Sequence, residues 1–122
     1  MNPLLAGAVL GGLGVILGAF GAHALKTMIS ADKHAIFEVG VRYQLVHALA
    51  LLAVGLLLRT TDGALVRAAG PLFLGGVVLF SGSLYALALG GPAAWLGPVT
   101  PIGGLALIAG WVVLALGVRG GG

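Results

Sequence analysis

Four long apolar stretches, separated by short polar connections, dominate the pattern along the chain. They cover about residues 4–25, 41–58, 71–89 and 98–118. The first stretch carries no charged residue, and as an α-helix it would be roughly 33 Å long, enough to cross a bilayer core of ~30 Å. Because backbone polar groups inside lipid must bond within their own segment, each stretch is predicted to be a transmembrane helix. The predicted fold is an all-α membrane protein, in which residues 1–122 form one domain, a compact antiparallel four-transmembrane-helix bundle.

Residues that start or stop helices lie at the ends of these stretches. Ser30 is placed to cap a helix, which predicts a short interfacial helix between helices 1 and 2. Pro71 suits the first position of the third helix, and the fourth is predicted to begin near Pro98 or Pro101. Residues 22–24 resemble a signal-peptidase site, but no Lys or Arg precedes the apolar stretch, so we expect it to remain as a span.

Composition and charge support a membrane location and exclude several function classes. Of the 122 residues, 60% are hydrophobic and 7% are charged, whereas a soluble domain commonly has about a quarter charged. The net charge of +3 comes without any basic run, so no nucleic-acid partner is predicted. The absence of cysteine excludes disulfides, thiolate metal sites and cysteine nucleophiles. No metal or other cofactor is predicted.

Lys and Arg are divided almost evenly between the two membrane faces of a four-span protein. One face holds both termini with Arg59, Arg67 and Arg119, and the other holds Lys26 and Lys33, since Arg42 falls within the second span. This small excess predicts that both termini lie in the cytoplasm.

Glycines recur at the spacing of a helix-packing seam. In a bilayer, moving leucine from lipid into a contact between helices gives no hydrophobic gain, because lipid chains are equally apolar. Helices there associate instead through close backbone contact at small residues. A repeat of seven positions keeps such a seam on one side when helices cross at shallow, left-handed angles. The glycines expected at helix contacts are Gly7, Gly11, Gly14, Gly18, Gly21, Gly75, Gly82, Gly103, Gly110 and Gly117. Because the first helix has the unbroken seam, it is predicted to be largely enclosed. The alternative, strongest for the second and third helices, is that composition alone scatters the small residues.

Polar side chains cluster at the start of the second span and the end of the first. Glu38 and Arg42 are four residues apart, which favours an ion pair on one helix face. Polar groups inside a membrane are costly, so each needs a partner or a function. The candidate polar patch consists of His23, Glu38, Arg42, Tyr43, Gln44 and His47.

Several interpretations of this patch are open. Two histidines could ligate a haem, or His23, Glu38 and His47 could relay protons, or the patch could bind a quinone or a lipid headgroup. The structural interpretation is a hydrogen-bond clasp between the first two helices. The clasp is favoured because groups near a membrane boundary are partly hydrated, and because no other haem signature accompanies the two rings.

A second polar group lies in the third and fourth spans. Hydroxyl groups beside glycines usually bond across to a neighbouring helix or back to a helix carbonyl. The Gly-x-Ser-x-Gly pattern is absent, so a lipase-type nucleophile is not predicted. Residues 97–104 contain two prolines and indicate a bent helix entrance, with a substrate site at a broken helix as the alternative. The members of this group are Ser81, Ser83, Tyr85 and Thr100.

Four segments in the same order resemble one protein family. They read GAFGAHALK, VRYQLVHALALL, LFSGSLYALAL and VTPIGGLALIAGW. The chain is similar to the small integral membrane proteins classed as domain of unknown function 423, which are related to the mitochondrial transmembrane protein 256. The resemblance covers nearly the whole chain except the loops and the Gly-rich tail. It implies four spans in a bacterial membrane and offers no catalytic residue to transfer.

Pattern and resemblance together predict a small multi-pass protein of the bacterial cell (inner) membrane. A non-enzymatic structural or accessory role is favoured, since no metal-ligand spacing, nucleophile motif or phosphate loop is present. The expected partners are membrane lipids and either a larger membrane protein complex or further copies of the chain. The alternative is a small-solute or proton pathway, or a lipid- or quinone-binding protein, that uses the polar patch.

Overall fold

The computed structural model describes residues 1–120, which form four long helices. Each is long and apolar enough to cross a membrane, and no strand occurs within residues 1–120. The predicted four-helix transmembrane architecture is therefore confirmed. The helices are α1 (Pro3–His23), α2 (Ala31–Leu57), α3 (Ala64–Ala88) and α4 (Ala93–Arg119), and a 3-10 turn, Leu25–Thr27, follows α1.

Side-chain caps start the first two helices. The Asn2 side chain accepts hydrogen bonds from the backbone N–H groups of Leu4 and Leu5, at 3.1 and 3.2 Å. The predicted Ser30 cap is confirmed, since its hydroxyl accepts a bond from the N–H of Lys33 at 3.3 Å. The residues after Ser30 are the first turns of α2 itself, however, and the short helix between α1 and α2 is the 3-10 turn instead.

The prolines lie inside helices rather than at their starts. Pro71 is within α3, and Pro98 and Pro101 are within α4, so the predicted starting positions are wrong. A proline removes one backbone hydrogen bond, and transmembrane helices tolerate this loss because their neighbours supply other contacts. The segments before the prolines therefore continue as helix. Arg67, in the first turn of α3, donates to the Asp62 carbonyl at 2.6 Å and ties the helix start to the loop.

A glycine in left-handed conformation ends α3. Gly90 has φ of +98°, a value that side chains other than glycine rarely adopt. The N–H of Gly91 then reaches back to the Ala86 carbonyl at 2.7 Å, and the N–H of Gly90 bonds to the Leu87 carbonyl at 3.2 Å. This Schellman arrangement satisfies the last carbonyls of α3 and reverses the chain toward α4.

Each helix packs mainly against the next one in the chain, so α1 lies at an edge and α2 is central. Only 17% of the most apolar stretch of the first span is buried, against 50% for α2. The prediction that the first helix is largely enclosed is therefore wrong. One side of α1 meets α2, and the other exposes leucines and valines such as Leu5, Val9 and Leu13. In lipid this exposure carries no hydrophobic penalty.

The glycine seams of α1 and α4 are confirmed. Gly7, Gly14 and Gly21 are buried against α2, where a side chain would meet Ala48, Leu45 and Phe37 respectively. Gly11 and Gly18 lie on the same side but leave more room. The seam of α4 faces α3 in the same way. A side chain at Gly103 would meet Phe80, one at Gly110 would meet Phe73, and one at Gly117 would meet Val66.

The prediction that Gly75 and Gly82 of α3 lie at helix contacts is wrong. A side chain at Gly75 or Gly82 would meet no atom within 4 Å. The contact is made by Gly76, one residue along, which lies against Leu107 of α4. A seven-residue step places two glycines on one face without specifying whether that face meets a helix or lipid. Gly40 of α2, which sequence reasoning missed, lies against Tyr85.

The main hydrophobic core lies between α2, α3 and α4. Its fully buried members include Leu51 and Val54 of α2 with Val66 and Phe73 of α3. A smaller cluster forms where the chain turns from α1 to α2, and its largest side chain is Phe37. Along α2, Gln44 and His47 lie between the residues of these two clusters, Val41 in the smaller one and Ala50 in the main core.

Candidate functional site

Gln44 is the centre of the polar contacts, and it joins three helices. Its side-chain amide donates to the Leu10 carbonyl of α1 at 2.8 Å. Its carbonyl oxygen accepts from the Tyr85 hydroxyl of α3 at 2.6 Å. Because Gln44 is only 4% exposed, both bonds are shielded from water and compete with no solvent. The predicted clasp between the first two helices is present, and it extends to the third.

Ser81 makes a second link between α2 and α3. Its buried hydroxyl donates to the Gly40 carbonyl at 2.7 Å. The absence of a side chain at Gly40 also lets the Tyr85 ring approach, and that ring lies 4.9 Å from the ring of Phe37. The two helices are thus joined by hydrogen bonds and an aromatic pair at the same level.

Ser83 and Thr100 join α3 to α4. Their hydroxyl oxygens are 2.6 Å apart. Ser83 donates its one hydroxyl proton to the Phe80 carbonyl at 3.0 Å, so Thr100 is the donor to Ser83. The Leu96 carbonyl, 3.4 Å from the Thr100 hydroxyl, is the longer alternative acceptor for the same Thr100 proton. The second polar group predicted from the sequence therefore divides in two, with Ser81 and Tyr85 bonded to α2 and the other two bonded to each other.

His47 has both ring nitrogens occupied. Trp111 of α4 donates its indole N–H to Nε2 at 2.9 Å, while Nδ1 lies 2.7 Å from the Tyr43 carbonyl. An indole nitrogen only donates, so Nε2 accepts and Nδ1 carries the proton of a neutral ring. Ligation of a haem iron by His47 would first require one of these bonds to break. Trp111, which sequence reasoning did not select, is the partner that makes His47 a link between α2 and α4.

The remaining members of the predicted patch do not join it. His23 is exposed and its Nδ1 bonds to the Ala19 carbonyl of its own helix at 2.8 Å. Glu38 lies 3.3 Å from the Nε2 of His34 rather than pairing with Arg42, so the expected Glu38–Arg42 ion pair is wrong. His34 lies four residues before Glu38, as Arg42 lies four residues after it, so the spacing in the sequence already allowed a His34–Glu38 pair.

His34 also takes the place expected for His23 between the first two helices. Its Nε2 lies 2.8 Å from the Gly21 carbonyl near the end of α1. The predicted patch is therefore a set of separate links at different levels of the bundle. Within residues 1–120, no buried side-chain nitrogen or oxygen lacks a hydrogen-bond partner. The same residues contain no group of three or more His, Asp or Glu placed to hold a metal ion.

Two apolar grooves open between helices that are not neighbours in the chain. The α1–α3 groove, of about 310 Å³, has Gln44 at its floor and Leu13, Ile16, Val78 and Gly82 among its walls. The α2–α4 groove, of about 300 Å³, is lined by Tyr43, His47, Phe80, Gly104, Leu107, Ile108 and Trp111. These grooves, rather than a catalytic cluster, are the concave surfaces beside the polar links.

Similar proteins are membrane proteins that share nearly the whole length. A UPF0382 membrane protein of Staphylococcus saprophyticus is 42% identical over 114 residues, which cover 93% of each chain. The UPF0382 membrane protein YwdK of Bacillus subtilis is 40% identical over 93% of this chain and 92% of its own. The UPF0382 inner membrane protein YgdD of Escherichia coli K12 is 37% identical over 93% of this chain and 86% of its own.

No solved structure matches the chain. The names of the relatives and the four apolar helices together confirm a multi-pass protein of the bacterial membrane. Residues 17–104 match the family described as "Protein of unknown function (DUF423)". That match spans most of the chain and contains the polar links of α2 and α3. The chain therefore belongs to the DUF423 family.

Proposed function

We propose that the protein is a non-enzymatic accessory component of the membrane, a rigid bundle that packs against other integral membrane proteins. The observation that supports this most is the use of its polar side chains. Gln44, Ser81, Tyr85 and His47 are all engaged in bonds between helices. A catalytic acid, base or nucleophile needs a polar atom that is available to a substrate, and the polar atoms of these four side chains are engaged in hydrogen bonds.

The outer surface supplies the contact that such a role requires. One side of α1 is apolar and exposed, and the α1–α3 groove beside it is floored by Gln44 and bordered by Gly82. A side chain at Gly82 would meet no atom within 4 Å, so the α3 backbone is bare there. Small residues of this kind let a second transmembrane helix approach closely. The proposed partner is therefore a transmembrane helix of another protein seated in the α1–α3 groove.

Filling the groove tests the proposed role. Gly82→Leu should leave the bundle folded, because the added side chain meets open space, but it should displace a helix from the groove. Gly12→Leu is the matched control, since Gly12 also faces open space but does not line the groove. After cross-linking in native membranes and purification in mild detergent, a partner at fixed ratio is expected with the wild type and with Gly12→Leu. It should be lost with Gly82→Leu.

Recovery of the wild-type protein alone, or of the same partner with Gly82→Leu, would contradict the proposal. A further measurement addresses the pathway alternative. Vesicles containing the purified protein should show no proton leak above empty vesicles, because His47 is held between two hydrogen bonds and His23 bonds to its own helix. A leak that His47→Ala abolishes would favour the pathway instead.

A further inference from the structure

Arg42 is a cation inside the membrane. It is exposed on α2, and within residues 1–120 it makes no hydrogen bond or ion pair with any side chain or carbonyl. If the hydrocarbon core ends near Leu57, its ~30 Å extends back to about residue 38, which places Arg42 roughly 6 Å inside the boundary. A long cationic side chain at that depth extends toward the headgroup region, where lipid phosphates and water are the available partners.

No acidic side chain within residues 1–120 pairs with Arg42. The chain has three acidic residues, Asp32, Glu38 and Asp62. Glu38, the nearest along the helix, is turned toward His34. Asp32 lies in the first turn of α2, about 15 Å away along the axis. Asp62 lies in the loop at the opposite end of the bundle. Any counter-charge for Arg42 therefore comes from outside these residues.

A surface depression connects Arg42 with the α2–α4 groove. Arg42, Tyr43, Val46 and His47 line a depression of about 340 Å³, and it adjoins the α2–α4 groove through its shared residues Tyr43 and His47. The Tyr43 hydroxyl has no hydrogen-bond partner within residues 1–120, and the side chain is 40% exposed. One cationic group and one free hydroxyl thus stand at the mouth of a groove that is otherwise hydrocarbon-like.

We propose that this surface binds an anionic phospholipid. Its phosphate accepts hydrogen bonds from the Arg42 guanidinium and the Tyr43 hydroxyl, and one acyl chain lies in the α2–α4 groove over His47 and Trp111. A guanidinium matches phosphate with paired, charge-assisted bonds, whereas a neutral quinone would leave the charge of Arg42 without a partner. This site is separate from the α1–α3 groove and does not depend on the proposed function.

The charge of Arg42 is tested by native mass spectrometry of delipidated protein in detergent, titrated with phosphatidylglycerol or with phosphatidylcholine of the same chains. Phosphatidylglycerol should bind more tightly. Arg42→Gln should weaken its binding at least about fivefold, because the charge-assisted bonds to phosphate are lost. Arg59→Gln, which removes an equal charge at the opposite end of α2, should leave binding unchanged. Equal binding of the two lipids, equal effects of the two variants, or unchanged binding by Arg42→Gln would overturn the proposal.

The groove is tested separately with Gly104→Leu. A Cβ at Gly104 would lie 3.6 Å from the Phe80 ring, an ordinary contact, so the variant should fold while its side chain fills the groove. Its thermal unfolding should match the wild type and its phosphatidylglycerol binding should fall at least about fivefold, in line with lost acyl-chain contact. Unchanged binding by a folded Gly104→Leu protein would overturn the placement of the chain. A protein carboxylate found cross-linked at Arg42 would overturn the lipid as occupant.

Discussion

At the scale of single residues, the buried polar side chains form hydrogen bonds between helices. Interhelical bonds in membranes contribute modestly, about 0.6 kcal/mol on average and up to ~1.7 kcal/mol each, so position matters more than number. Gln44 is bonded at both ends, to α1 and to α3. Loss of this one side chain removes two links and leaves the partly buried Tyr85 hydroxyl without its acceptor.

A double-mutant cycle should detect this coupling. Gln44→Leu is expected to destabilise the bundle by about 1–3 kcal/mol and Tyr85→Phe by about 1 kcal/mol. The double variant should lose less than the sum, since Tyr85→Phe removes the hydroxyl that Gln44→Leu strands. Reversible unfolding of the four proteins in mixed detergent micelles measures these differences. Strict additivity would mean that the bond between Gln44 and Tyr85 contributes nothing to stability.

Sequence spacing predicted these residue contacts unevenly, for a physical reason. The sequence showed that Tyr43, Gln44 and His47 lie close together on the second helix, because positions along one helix follow directly from sequence spacing. The hydrogen-bond partners of polar residues do not follow from spacing, since Glu38 has a candidate four residues away on each side, His34 and Arg42. Trp111 is distant in the chain from His47, and only the packing of α4 brings them together.

At the scale of helices, glycines have opposite roles depending on the face they occupy. In α1, Gly7 lies against the Ala48 carbonyl of α2, where a Cβ would be 2.8 Å away, while Gly12 faces open space. Backbone atoms of a neighbouring helix cannot move aside as a flexible side chain can. The same helix therefore contains glycines that packing requires and glycines that it does not.

This difference predicts opposite effects of one substitution in one helix. Gly7→Ala should destabilise the bundle by about 1–3 kcal/mol, because α1 must move away from α2. Gly12→Ala should leave stability unchanged or raise it by up to about 1 kcal/mol, since alanine favours helix over glycine. Unfolding in detergent, followed by circular dichroism, compares the two. A loss with Gly12→Ala as large as that with Gly7→Ala would refute the assignment of faces.

At the scale of the whole molecule, the bundle consists of two hairpins, α1–α2 and α3–α4, joined along α2 and α3. Gly40 lies at this junction, where a Cβ would be 2.7 Å from the Tyr85 ring. The number of spans was predictable, because the length of an apolar run is a local property. The edge position of α1 was not, because a glycine seam shows that one face meets a neighbour and not how many neighbours surround the helix.

The two hairpins should associate even when the chain is divided. Fragments 1–62 and 63–122, co-expressed with a tag on one of them, should purify together through the α2–α3 contact. Gly40→Leu should reduce recovery of the untagged fragment about tenfold, as expected for a cost of ~1.4 kcal/mol at the junction. Gly12→Leu serves as the control and should have no effect. Failure of the unmodified fragments to associate would show that the covalent loop, rather than the junction, holds the hairpins together.

The packing of every helix on its predecessor also bears on how the protein is made. A ribosome delivers α1 to the bilayer first, and α2 then arrives beside a partner that is already in place. No later helix has to displace an earlier pair, because α3 adds to the free side of α2 and α4 adds to α3. Trp111 belongs to the last helix to be synthesised, so its bond to His47 can form only after the other three helices have been made.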